Sequence, residues 1–279
     1  MPRCFFASDL HGHADRYEKL CEAIRQERPA AVFLGGDLLP HTLTAPAFLE
    51  GYLVPRLEQL RTDVGDAYPR VFVILGNDDP RAAEAAVAEA AGRGVWEYVH
   101  GRRISWGTLE VWGYACVPPT PFTLKDWERY DVSRHLEPGC IAPDEGWHTV
   151  EVPERDLECG TIREDLERLA GGADLARAVF LFHTPPYDTG LDRAALDGRT
   201  VDHVPLDVHV GSIAVRRFID ARQPLVTLHG HVHESARLTG RWSERIGRTH
   251  AFSAAHDGPE LALVRFDPDH PARAARALL

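Results

Sequence analysis

The sequence predicts an α/β fold in which a mostly parallel sheet is covered on both faces. Two observations carry that expectation. Short apolar runs alternate with longer amphipathic stretches, the order that βα units impose. The runs are also apolar along their whole length, as strands buried on both faces are. The chain has 279 residues, 44% of them hydrophobic, enough to bury a large core at the upper end of single-domain length. With no repeat, low-complexity tail or separating linker in view, residues 1–279 are expected to form one domain.

Cys4-Phe5-Phe6-Ala7-Ser8 reads as the first buried strand. Tyr17, Leu20, Cys21 and Ile24 then fall at i, i+3, i+4 and i+7, one face of a helix that Pro29 ends. Ala31-Val32-Phe33-Leu34 is the second strand, and Ala45 to Arg61 reads as helix. The clearest strand is Val71 to Leu75, followed by an Ala-rich helix from Arg81 to Ala91. Ile104 to Tyr114 gives one or two strands. Pro118-Pro119-Thr120-Pro121 then opens an irregular insert at about 115–160, whose aromatics favour an ordered wall of a cleft. Regular structure resumes with a helix near Thr161 to Leu169 and strands at Val179–Phe182 and Leu225–Leu228.

A formal charge of −11 argues against general binding of nucleic acid or anionic membrane. A phosphate substrate stays open, because bound cations can reverse the local sign. The five cysteines are odd in number and lack a Cys-x-x-Cys pair. Neither a signal peptide nor an apolar run of about 20 residues is visible, so a cytoplasmic, non-membrane protein is expected.

Five polar motifs stand at the ends of apolar runs. They are Ser8-Asp9-Leu10-His11, Gly35-Gly36-Asp37, Gly76-Asn77-Asp78-Asp79, His183 and Gly230-His231-Val232-His233. Ligands gather beyond the carboxyl ends of strands in such sheets, so residues distant in sequence converge on one rim. Asp9 with His11, and His231 with His233, are spaced two apart and can point the same way. The glycines before Asp37 allow a sharp turn that brings its carboxylate close, and a carboxylate suits a bridge between two cations. Asn77 adds a neutral oxygen, and mixed N/O donors suit Mn, Fe or Zn.

Together the motifs resemble the calcineurin-like metallophosphoesterase superfamily: Asp-x-His, Gly-Asp, Gly-Asn-His-Asp/Glu, a lone His, then Gly-His-x-His. The resemblance runs from Asp9 to His233. It implies a four-layer α/β/β/α sandwich of two packed mixed sheets and two divalent metal ions. Asp9, His11 and His233 would hold the first metal, Asn77, His183 and His231 the second, and Asp37 would bridge them. The implied reaction is hydrolysis of a small phosphate ester, a nucleotide among the candidates, by attack of a metal-bridging hydroxide.

The chain departs from the pattern at Asp78, where most relatives have His. Asp78 could act as a general acid, pair with Arg81, or orient a metal ligand or neighbouring His. Relatives lacking this His tend to be phosphodiesterases, so a diester is the favoured substrate. A phosphomonoesterase or phosphoprotein phosphatase is the nearest rival, and a non-catalytic protein-binding scaffold of the same fold is another. Asp79 matches a carboxylate that orients an imidazole ligand. His13 and His229 read as supporting residues, and His41, His203, His209, His250 and His256 as rim candidates. Arg81, Tyr114, Phe122 and Trp127 are candidates to contact a phosphate or a nucleobase, or else to pack the insert against the body. Oligomeric state is not legible.

Overall fold

The computed structural model describes residues 3–40 and 43–279; His41 lies outside them. The buried apolar runs form strands β1 (Cys4–Ala7), β2 (Ala31–Gly35) and β3 (Arg70–Ile74), parallel neighbours that continue into the short β4 (Glu97–Tyr98). Two late strands, β13 (Ala262–Phe266) and β14 (Ala275–Leu278), add to the other edge antiparallel. The first sheet therefore runs β14-β13-β1-β2-β3-β4.

The second sheet contains β5 (Arg103–Trp106), β6 (Leu109–Tyr114), β7 (Ala178–Phe182), β10 (Val226–His229), β11 (Ser243–Ile246) and β12 (Thr249–Ser253). Its order is β11-β12-β10-β7-β6-β5, with the four central strands parallel and both edges antiparallel. A separate ribbon pairs β8 (Thr200–Val201) with β9 (Val204–Pro205). The expected parallel strands are thus divided between two mixed sheets.

The sheets face each other, β2 against β7 and β3 against β6. Phe33 stacks on Phe72 at 5.2 Å within the first sheet, and Trp106 from the second closes over both. Trp112, Phe180 and Phe182 stack in turn within the second sheet at 5.4 and 5.1 Å. Such rings bury much apolar surface and hold the sheets in one registration.

Helices flank the sheets, giving the expected sandwich. On one side α1 (Ala14–Glu27) touches α3 (Val54–Val64). The helix expected from Ala45 starts as α2 (Ala45–Phe48) and passes through a π turn (Leu49–Leu53) before α3. Pro55 has no N–H, so it cannot close an ordinary helical bond, and Val54 N–H reaches back five residues to Leu49 C=O. A 3-10 turn (Arg81–Ala83) precedes α4 (Glu84–Gly92). On the other side, α6 (Ile162–Ala170) contacts α7 (Ile213–Arg222) after the short α5 (Glu154–Cys159). Thr161 and Ser212 cap α6 and α7 by accepting N–H bonds from Glu164 and Val215. The last helix is α8 (Ser235–Thr239).

The insert has little regular structure but a core of its own. Lys125 and Glu128 form a fully buried ion pair at 2.6 Å, and Lys125 also donates to Thr120 C=O. Trp127 is fully buried and Tyr114 nearly so, the latter bonding Asp165. Neither ring is available to a substrate; both pack the insert onto the body. Phe122 stays exposed.

Candidate metal centre

The loops that follow β1 and β2 are tied together by their backbones. Asp9 N–H donates to Gly36 C=O at 3.0 Å, His11 N–H to Asp37 C=O at 2.8 Å, and Gly12 N–H to Leu38 C=O at 2.9 Å. Asp9, His11 and Asp37 take left-handed φ values of 57°, 46° and 51°, as does His231 at 73°. Each such residue costs about 1 kcal/mol or more, a strain that concentrates at functional sites.

These turns gather two sets of donor atoms. In the first, one atom each from Asp9, His11, Asp37 and His233 lies within 4.8 Å of all the others. His233 Nε2 is 3.3 Å from Asp9 Oδ1 and 3.1 Å from His11 Nε2. In the second, His183 Nε2 lies 3.2 Å from Asp37 Oδ2 and 3.0 Å from Asn77 Oδ1. The ring of His231 meets that of His183 edge-on, centroids 5.3 Å apart. Asp37 belongs to both sets.

The tautomer of His183 follows from its partner. Nδ1 is 2.8 Å from Gly35 C=O, which can only accept, so Nδ1 carries the proton and the Nε2 lone pair faces Asp37 and Asn77. Lone pairs pointed at one another repel unless a proton or cation sits among them. Burial opposes a charge on His183, yet Asp37 and Asp9 outweigh it and push the ring up to about 10. His233 is pushed up to about 9 against its burial by Asp9. Burial, with His183 adding to it, pushes His231 down to about 3 and keeps it neutral. Carboxylates and imidazoles that share protons in this way fit divalent cations, which displace them.

Two glycines make the approach possible. A Cβ at Gly76 would collide with Asp37 and His183, and one at Gly230 would stand 2.6 Å from Asp9 Oδ2.

Six of the seven sequence-predicted donors fall in these two sets, and the seventh, His231, has its ring against that of His183. The predicted catalytic residues divide. Asp78 is about half exposed, with Oδ2 3.6 Å from His11 Nδ1 and Oδ1 accepting from Asn77 Nδ2 at 3.2 Å. Its N–H donates to Asp37 Oδ1. Burial and the Asp37 charge push its carboxyl above the usual range. Asp79 does not orient an imidazole: its oxygens accept the N–H groups of Leu38, Leu39 and Gly76 at 3.1, 2.7 and 2.9 Å. Arg81 does not pair with Asp78; it pairs with Glu84 at 3.4 Å and lies over the Trp127 ring at 5.1 Å.

Among the other histidines, buried His229 bonds Thr184 C=O and Thr227 Oγ1, a structural role. His209 is engaged by Asp192 and His256 by Glu260, while His13 and His203 are exposed. His250 is partly exposed, and neither it nor the others joins the donor cluster.

Three supporting residues escaped the sequence reading. Ser8 Oγ donates to Asp9 Oδ2. Buried Arg16 clamps Asp9 C=O at 2.8 Å and Gly258 C=O at 2.6 Å. Asp126, in the insert, accepts the Arg81 N–H at 2.7 Å beside Trp127, whose Nε1–H donates to Asp79 C=O at 2.9 Å. The visible signal for Arg16 was a cation beside the apolar face of α1; nothing local marked the other two.

The family model for calcineurin-like phosphoesterase matches residues 2–235. No curated protein matches the sequence. Solved structures share the fold at low identity. A Thermus thermophilus protein, TT1561, is 16% identical with a TM-score of 0.58, over 99% of this chain and 98% of that one. A dimetal phosphatase from Danio rerio is 13% identical at TM-score 0.53, covering 95% and 91%. A phosphopantetheinyl hydrolase from Mycobacterium tuberculosis is 13% identical at 0.52, covering 91% and 90%.

Proposed function

Because the chain belongs to the calcineurin-like phosphoesterase family, whose members use two divalent metal ions, we propose that it hydrolyses small phosphate esters and prefers diesters. The observation that carries this reading is the pair of donor sets sharing Asp37. Asp9, His11 and His233 would hold one metal, Asn77, His183 and His231 the other, with Asp37 between them. Mn, Fe and Zn all suit these donors. When bound, the metals supply Lewis acidity and make a nucleophile from water near neutral pH.

The chain's own residues supply the geometry. Asp78 Oδ2 lies 3.6 Å from His11 Nδ1, where a carboxylate would orient that ring with Nε2 toward the centre, as carboxylates behind metal-ligating histidines do. Asp79 fixes the loops that carry Asp37 and Asn77. A carboxylate at Asp78 repels a dianionic monoester more than a singly charged diester, which supports the diester preference. The same reading takes residues 1–279 as one cytoplasmic domain with its insert at about 115–160, a nucleotide being one candidate substrate. Among the described residues, no helix is long and apolar enough to cross a membrane.

The test is kinetic. Mn-loaded protein should hydrolyse bis-p-nitrophenyl phosphate with a higher kcat/KM than p-nitrophenyl phosphate. The reverse order would transfer the reading to a monoesterase. Absence of turnover on both, with no metal retained, would leave a scaffold of the same fold.

A further inference from the structure

A cavity of about 340 Å³ opens between the insert and the segment that follows His183. Its position is set by the second sheet. β6 and β7 are parallel and in register at Tyr114↔Phe182, so both chains leave the sheet at the rim where His183 stands. Pro118 lies four residues past Tyr114, and Tyr187 four residues past His183; both line the cavity. Four residues of chain span at most about 14 Å, so each wall starts within that distance of the rim that carries His183.

The lining decides what fits. Pro121, Val132, Leu196, Val201, Leu206 and Ile213 give it a mainly apolar surface. The polar groups among them are already engaged. Asp131 accepts from Ser212 Oγ, Ile213 N–H and Ala214 N–H. Asp207 takes the Tyr187 hydroxyl at 2.6 Å and the His209 N–H, and His209 Nδ1 faces Asp192 at 2.8 Å. Ser133, His135, Glu137 and Arg199 also line it and are exposed to solvent. A hydroxyl-rich or amide-rich group entering here would lose its hydrogen bonds to water and find few replacements. An aryl or alkyl group loses nothing and gains burial, and the volume accepts a ring system.

We propose that this cavity binds the organic arm of the substrate and that the arm is bulky and apolar. The assignment rests on the phosphoesterase reading and names its substrate class: a phosphate ester of an aryl or long-chain alcohol.

Phosphonates test it without turnover, since their C–P bond is not cleaved by ester hydrolysis. Metal-loaded protein is titrated calorimetrically with methylphosphonate and with 1-naphthylphosphonate. The naphthyl compound should bind at least about tenfold tighter, the selectivity a modest apolar contact provides. Leu196→Trp, which fills the cavity, should abolish that preference and leave methylphosphonate affinity unchanged. Leu206→Glu, which makes the wall charged, is the second variant and should do the same. Equal affinities in the wild type, or a preference surviving in both variants, overturns the assignment. If methylphosphonate binds and the naphthyl compound binds no tighter, only the cavity assignment falls. If neither binds and no ester is hydrolysed, the phosphoesterase reading falls with it.

Discussion

The two sheets contribute unequally to the proposed metal centre. The loops after β1, β2 and β3 deliver every oxygen donor, Asp9, Asp37 and Asn77, together with His11. Three of these four sit at left-handed φ, and buried Asp79 latches the loops through three N–H groups. The second sheet delivers only imidazoles: His183, His231 and His233. Its counterpart to Asp79 is His229, which holds one carbonyl, that of Thr184. Hydrogen bonds join the sides, among them His183 Nδ1–H to Gly35 C=O and His231 N–H to Asp9 Oδ1. The oxygen side is therefore the more strained and is latched as a unit, while the nitrogen side has one left-handed residue, His231, and only the fully buried His183 ring is fixed by packing. Damage to the first should spread to both metals, and damage to the second should stay local.

Asp37→Ala gives the largest expected effect, because this carboxylate belongs to both donor sets. Both metals should be lost on dialysis, and kcat/KM should fall about a thousandfold or more, the several kcal/mol that metal assistance supplies. Full retention of one metal with unchanged turnover would break the bridging role.

The latches give the next comparison. Asp79→Ala leaves three buried N–H groups without their acceptor, a cost of roughly 3 kcal/mol or more, read by urea denaturation. His229→Gln should cost about 1–2 kcal/mol, since it disturbs one carbonyl and one hydroxyl contact. Equal costs would erase the asymmetry between the sides.

Asp78→Ala should weaken one metal about 10–100-fold and spare the other, as loss of a carboxylate behind a ligating histidine does. Equal weakening of both metals would rule out an action through His11.

The remaining effect is in acid stability. Burial pushes His229 down to about 4 in the folded protein from 6.5. The unfolded chain then binds the extra proton between those values, so this residue's contribution to stability is lost as pH falls from about 6.5 to 4. His229→Gln should flatten the pH dependence in that window by roughly 3 kcal/mol at most, measured by denaturation at each pH. An unchanged slope would show that the ring titrates freely.

Much of the fold was legible. The uniformly apolar runs at β1, β2, β3 and β7 gave strands within a residue or two of those observed, because nothing but burial on both faces suits them. The late strands β11 to β14 and α7 were not read. Edge strands β11 and β14 and the helix α7 mix polar and apolar residues, where local pattern is weak; β12 and β13 are interior and largely buried, but polar residues interrupt their apolar runs. The helix beyond Ala45 was read as continuous, and its π turn follows from Pro55. In the insert, Trp127 suggested a contact surface, yet its ring is buried and its N–H holds the third motif.

By itself the sequence determined the residue types and their placement at strand ends, because any one such motif suits an ordinary turn but five in that order seldom arise together. It also implied, through resemblance, the number of metals and the class of reaction. Only the tertiary structure decided which donors share a site, that Asp79 and Arg81 serve other partners, and that an apolar cavity opens between the insert and the segment after His183. The physical reason is that those outcomes depend on two sheets packing face to face. That packing brings Gly35 to His183 and Asp9 to His231 across more than a hundred residues, a relation no local pattern records.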